Sequence, residues 1–252
     1  RRYEEAVTFA IRNGITAVDT AINYRGMRSE RDVGAAVGAL LASGEIRRED
    51  VLLATKAGLM FGDVVSGLNP ARCLQEVLEP RGIGRNDFCE YEGVYQTLNP
   101  DFFEIALQIS LRNLGVDTVD LHYIHLPEIT RAQLTQDMFY QRLAKLLVWY
   151  EEKVKEGRIR SYGLAFEMTA MEPAEEKWYI SIEMVDRIAR EVSGGDSHFK
   201  YIQIPYNLQY PYAATVRNQP CMGEDCTLVE AAHRMGLQVI GSMPLCCGEG
   251  FG

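Results

Sequence analysis

Residues 3–24 read YEEAVTFAIRNGITAVDTAINY, and the order of events inside them decides the fold. Ala6, Val7, Ala10 and Ile11 recur at spacings of three and four, so Tyr3 to Asn13 predicts an amphipathic helix. Gly14 is the residue that can end it in a left-handed conformation. Ile15 to Asp19 is then a short, mostly apolar run that predicts a strand. Helix followed by strand recurs down the chain. Ser29, with Asp32 three residues on, opens the next helix in the manner of a capping box, and Val33, Ala36, Val37, Leu40 and Leu41 continue it along one face. Val51 to Thr55 follows as a strand. The later units are Asp101 to Leu114 with Thr118 to Ile124, Phe139 to Glu156 with Ser161 to Ala165, Ile180 to Val192 with Tyr201 to Pro205, and Thr227 to Arg234 with Gln238 to Ser242. Such alternation predicts six strands paired in parallel.

An open doubly wound sheet would carry a phosphate-binding glycine fingerprint after its first strand, and none is present. An α/β barrel lacking its ends fits better. Between Ala57 and Asn99 the alternation lapses into Gly, Pro and Asn, with one helical stretch at Ala71 to Leu78. This segment is expected to be an insertion over one mouth of the barrel, either a lid or part of a substrate wall. The 252 residues have the size of one barrel domain, residues 1–252.

Composition bounds the partners. Lys plus Arg total 26 against 35 Asp plus Glu, a net charge of -9, so the broad basic footprint of a nucleic-acid binder is missing. Apolar runs such as Leu143 to Tyr150, broken by Lys145, fall short of the roughly 20 residues that span a bilayer. Arg1-Arg2-Tyr3-Glu4-Glu5 has neither the apolar core of a signal peptide nor an initiator Met, which suggests a stretch cut from a longer chain. The six cysteines are then expected to be reduced thiols in a cytoplasmic protein. Cys221, Cys226 and the adjacent Cys246-Cys247 match no strong ligand spacing, so no metal is expected. Glu151 to Lys155 is expected to be a solvated helix face.

Ionisable groups gather where strands end: Asp19 with Tyr24 after the first, Lys56 after the second, His125 after the third. In a parallel α/β barrel those ends converge on one mouth. A phenol titrates near 10 and is a poor acid at neutral pH, but a neighbouring ammonium stabilises its phenolate. Lys56 is the candidate neighbour of Tyr24, Asp19 can hold Lys56, and His125 can donate to a carbonyl oxygen. Taken singly, each has a plainer reading: Asp19 as a cap, Tyr24 as a rim aromatic, Lys56 as a solvated charge, His125 as a core histidine.

The ensemble resembles the aldo-keto reductase family. Asp19-Thr20-Ala21 with Tyr24 looks like its D-T-A-x-x-Y, Ser29-Glu30 with Val33-Gly34 like its (S/N)-E-x-x-V-G, and Thr55-Lys56 like its T-K strand end. Leu114-Gly115-Val116-Asp117 leading into Val119-Asp120-Leu121 and His125-Leu126-Pro127 resembles L-G-x-D-x-x-D-L and H-x-P. The likeness continues through Gly157-Arg158-Ile159-Arg160 before Gly163, Gln203 and Pro244-Leu245. It implies a (β/α)8 TIM barrel of the aldo-keto reductase type, truncated at both ends, with the family's first and last strands outside this sequence. It also implies an oxidoreductase using NADPH, or NADH, on a small carbonyl substrate. Tyr24 would be the general acid, Lys56 and Asp19 would tune it, and His125 would orient the carbonyl. His122, three residues earlier, is assigned a structural role. Gln203, Ser242, Met243 and Leu245 would bind the cofactor.

Three positions depart from the pattern. Ala165 and Phe166 stand where the family usually has a Ser-Asn pair on the nicotinamide carboxamide, and Ser242 where many members stack a Tyr on the ring. That stacking surface is missing unless Phe166 or Tyr206 substitutes. The departures keep a second reading open, a weak or silent member that binds a nucleotide or regulates. A third, a metal-dependent barrel hydrolase or lyase, would need acidic partners for His122 and His125. Pro205-Tyr206-Asn207 and Tyr210-Pro211-Tyr212 form an aromatic loop expected on the same mouth.

Overall fold

The parallel sheet expected from the alternation is the frame of the molecule. The computed structural model describes residues 2–246. In chain order its helices are α1 (Arg2–Arg12), α2 (Arg28–Ala42), α3 (Pro70–Cys73), α4 (Pro100–Leu114), α5 (Glu128–Arg131), α6 (Gln136–Lys155), α7 (Ile182–Ser193), α8 (Tyr212–Thr215) and α9 (Leu228–Arg234). The strands are β1 (Ala17–Asp19), β2 (Leu52–Ala57), β3 (Cys89–Tyr91), β4 (Val94–Gln96), β5 (Val119–His125), β6 (Ile159–Ala165), β7 (Phe199–Pro205), β8 (Gln219–Cys221), β9 (Glu224–Cys226) and β10 (Gln238–Ser242). Six of them pair in the order β1-β2-β5-β6-β7-β10, every pairing parallel. Each new strand adds beside the last, as the successive units of an α/β barrel do. No described helix is long and apolar enough to cross a membrane.

Register sorts the side chains into two faces. Thr55 pairs with His122 and His122 with Tyr162, and this face turns to the helices. There Ile124, Leu164, Ile202 and Ile204 pack on Phe102, Phe103 and Leu107 of α4 and on Leu143, Leu146 and Leu147 of α6 in one buried cluster. Each such side chain taken from water stabilises the fold by roughly 1.5–3 kcal/mol. The opposite, inner face carries Ala54, Leu121, Tyr123 and Ala165, with Leu52 and Tyr201 against them.

Several local expectations are corrected. The Ser29–Asp32 capping box does not form: α2 begins at Arg28, its N-cap is Met27, and no side chain caps it. The Ser29 hydroxyl instead accepts from Thr20 Oγ1 at 2.9 Å. Residues 57–99 are more ordered than their composition suggests. The helical stretch there begins at Pro70 as α3 and widens to a π turn at Leu74–Leu78, and β3 and β4 form an antiparallel hairpin. A second hairpin, β8–β9, was also unexpected. Glu151 is buried: its carboxylate accepts from Tyr162 Oη at 2.8 Å and from His198 N at 2.9 Å, and pairs with His198 Nδ1 at 2.8 Å. Lys153 is buried too, its ammonium paired with Glu104 and Glu156. Helix charges at this spacing usually face water, but here α6 turns them toward β6, β7 and α4.

Candidate active site

Lys56 organises the mouth. It stands near the end of β2, in register with Tyr123 of β5, and its side chain is wholly buried. An ammonium has three N–H bonds to place, and here each has an acceptor: Asp19 Oδ2 at 2.6 Å, the Thr20 carbonyl at 2.9 Å and Tyr24 Oη at 3.4 Å. Asp19 ends β1 in register with Ala54, on the face that carries Lys56. Tyr24 follows in a turn closed by its own N–H on the Ala21 carbonyl; it is 38% exposed, and the Asp19 side chain is exposed to a similar degree, while Lys56 and His125 are buried. His125 ends β5, with its ring 5.7 Å from that of Tyr24 and nearly perpendicular to it. Burial, and then the Lys56 ammonium, hold the His125 imidazole down to about 3, so it is neutral at physiological pH. The structure therefore brings together Asp19, Tyr24, Lys56 and His125, four residues from three strand ends.

His122 is on the other face because the two histidines are an odd number of residues apart in one strand. It is fully buried, its Nδ1 lies 2.7 Å from Tyr150 Oη, and burial holds it down to about 3. Opposite faces cannot share a metal through these two rings. Among the described residues no group of three or more His, Cys, Asp or Glu side chains could hold a metal. Cys221 and Cys226 are buried free thiols in the β8–β9 hairpin, Cys246 is also free, and Cys247 lies outside the described residues.

Gln203 sits at the same mouth, in register with Ala165, which is in register with His125. Ser242 is at the end of β10, beside Pro205, at the far edge of the sheet from Asp19. Met243 follows in a left-handed conformation, its carbonyl accepting from Asn207 Nδ2 at 2.8 Å, and Leu245 is exposed. These three do not touch the four-residue cluster. Phe166 is no stacking surface: it is buried in the helix-side core. Tyr206 is exposed and bonds through its backbone N–H to the Ser242 carbonyl.

Glu128 was not anticipated. It opens α5 three residues after His125, buried, with Oε1 accepting from Glu167 N at 2.7 Å and Met168 N at 3.1 Å and Oε2 unpartnered among the described residues. Burial pushes its carboxyl up to about 7, against the backbone N–H bonds that favour the anion. The available signal was an acidic residue set inside the apolar run His125-Leu126-Pro127-Glu128-Ile129.

Comparison with known proteins identifies the family. The model of the Aldo/keto reductase family matches residues 2–188. Prostaglandin F synthase 1 of Bos taurus is 29% identical over 123 residues, which cover 49% of this chain and 26% of that protein. Among solved structures, an aldo-keto reductase from Bacillus halodurans in its holo form superposes with a TM-score of 0.59 at 21% identity, covering 97% of this chain and 58% of that one. The Bombyx mori aldo-keto reductase in complex with NADP gives a TM-score of 0.54 at 20% identity, covering 95% and 55%. The chain thus spans little more than half of these structures and about a quarter of the curated relatives it matches. With the strand-end cluster and a family match through most of its length, this chain belongs to the aldo/keto reductase family.

Proposed function

We propose that the protein reduces an aldehyde or ketone to an alcohol with NADPH, Tyr24 acting as the general acid. The observation that carries this reading is the saturated ammonium of Lys56, which spends its third N–H on the phenol oxygen. When bound, NADPH supplies the hydride that adds to the carbonyl carbon. The chain's own residues manage the oxygen. Neutral His125 donates a hydrogen bond that orients the carbonyl, and Tyr24 Oη passes its proton to the oxygen as negative charge develops there. Lys56 stabilises the phenolate left behind, and Asp19, 2.6 Å away, keeps the ammonium charged and aimed.

The residues present fit the cofactor with fewer contacts than the family pattern implies. The Gln203 side chain is buried at the mouth and makes no hydrogen bond to another described residue, so its amide is available to a nicotinamide carboxamide. Tyr206 offers an exposed ring beside Ser242, while Met243 and Leu245 continue that edge. NADH would use the same nicotinamide contacts. The second reading, a nucleotide-binding member of low activity, is favoured by Ala165 and Phe166, which put no polar side chain where two are usual. A cytoplasmic setting is supported by the five free cysteines among the described residues.

The test is a fluorescence titration with NADPH followed by NADPH oxidation on a panel of aldehydes. The leading reading expects saturable binding and turnover that Tyr24→Phe abolishes. Binding without turnover on any carbonyl would select the second reading.

A further inference from the structure

The three residues after Tyr24 all stand in the left-handed region: Arg25 at φ 51°, Gly26 at φ 58° and Met27 at φ 68°. For residues with a Cβ that conformation is unfavourable, and it persists only where surrounding contacts over-determine it. The helix that follows offers no side-chain cap to hold it. Arg25 stacks over the Tyr3 ring, and a further restraint comes from a second turn, residues 63–68, closed by Asp63 N on Leu68 O at 2.7 Å and Leu68 N on Asp63 O at 2.8 Å. This turn lies across the first. Val64 N donates to Gly26 O at 3.3 Å, and a Cβ at position 26 would come 3.0 Å from Val64 Cβ.

A fork ties the second turn to α2, one helical turn beyond Met27. Arg31 Nη1 and Nη2 donate to Asp63 Oδ1 and Oδ2 at 2.7 and 2.9 Å, the bidentate geometry that fixes direction as well as distance. Arg31 hydrogen-bonding holds the Asp63 carboxyl well below the usual carboxylate range. The arginine is rooted in turn. Its Nε donates to Asn113 Oδ1 at 3.1 Å, Asn113 Nδ2 donates to buried Glu30 at 2.9 Å, and Glu30 accepts from Thr55 Oγ1, beside Lys56, at 2.6 Å. The other ion pair on the turn, Arg25 with Asp32, is exposed and local.

We infer that Arg31 and Asp63 are positioning residues for Tyr24: their fork presses the 63–68 turn onto the left-handed turn 25–27 and so fixes the phenol against Lys56. The phenol stands 3.4 Å from the ammonium, near the outer limit of a hydrogen bond, so a small relaxation of the turn breaks that contact. This deepens the proposed function, resting on Tyr24 as the acid.

Two readouts test it, one independent of turnover. With tyrosines labelled with carbon-13 at Cζ, and the Tyr24 resonance assigned by its loss in Tyr24→Phe, Asp63→Asn and Arg31→Met should each shift that resonance toward the position of a free tyrosine. Arg31→Lys, which keeps the charge but not the fork, should give a partial shift if Arg31→Met fails to fold. In turnover, each variant should lower kcat on the order of tenfold or more with KM for the carbonyl little changed, and the double variant should lose no more than either single one. A Tyr24 resonance unmoved in Asp63→Asn overturns the inference, as does a shifted resonance with unchanged kcat. A parent protein silent on every carbonyl would instead sink the proposed function, and the resonance alone would still decide whether the fork places the phenol.

Discussion

Lys56 spends its three donors on Asp19, the Thr20 carbonyl and Tyr24, and it has no route to water. Lys56→Met should therefore cost activity more than it costs the fold: a loss of about 10²-fold or more in kcat/KM, read in steady-state NADPH oxidation, with the protein still cooperatively folded. A loss under threefold would show that the ammonium does not act on the phenol. Glu128 makes a second prediction at this scale. A carboxyl raised from 4.5 to about 7 in the folded state binds a proton that the unfolded chain has already released, so its stability contribution is present below pH 4.5 and lost as pH rises to about 7. His122 and His125 act in the opposite sense, because imidazoles held near 3 give up stability as pH falls below 6.5. Only a difference isolates the carboxyl. Between pH 5 and 7.5 the parent should lose stability relative to Glu128→Gln by about 2 kcal/mol in urea unfolding, and a gap that does not change with pH would contradict the burial argument. Of these residues the four at the strand ends were legible in the sequence, because strand termini of a parallel sheet converge. Glu128, Arg31 and Asp63 were not, since what each touches lies on a segment remote in the chain whose approach no period reveals.

Among the elements, β6 and β7 leave no room for a side chain between them at Gly163. A Cβ there would lie 2.2 Å from the Tyr201 carbonyl oxygen, and the register already shifts between Tyr162 and Gly163. Gly163→Ala should destabilise the protein by about 1–3 kcal/mol or more in thermal or urea unfolding, while Gly38→Ala, at a helix position open to space, should be neutral or slightly stabilising. Equal effects from the two would contradict this packing. The longer helices and the six sheet strands could be read from period and spacing, to within a few residues at their ends, whereas the four-residue α5 and α8 are too short to show a period. The β3–β4 and β8–β9 hairpins could not. Each turns through a left-handed pair, Glu92-Gly93 and Met222-Gly223, the conformation of a tight two-residue turn, but neither dipeptide carries the Asn or Asp that advertises one. The burial of Glu151 was hidden for another reason. Its partners, Tyr162 and His198, come from β6 and the approach to β7, and no property of α6 alone reveals them.

Across the whole molecule, one face of the sheet is given to packing and the other to chemistry, and the two-residue period of a strand enforces the division. His122 and His125 show it most directly, one bonded to Tyr150 among the helices and the other facing Tyr24. The sheet order, each strand beside its predecessor, then gathers Asp19, Lys56 and His125 from neighbouring strands and leaves Ser242 at the far edge. That gathering is what would let the scattered positions work as the proposed proton-handling group, in which Tyr24 is the residue that meets the substrate. The direct measurement is the rate of NADPH oxidation on an aldehyde by Tyr24→Phe beside the parent, with NADPH affinity determined for both. Tyr24→Phe is expected to lower kcat by about 10²–10⁴-fold at unchanged affinity for NADPH; turnover equal to the parent's would mean that some other group delivers the proton.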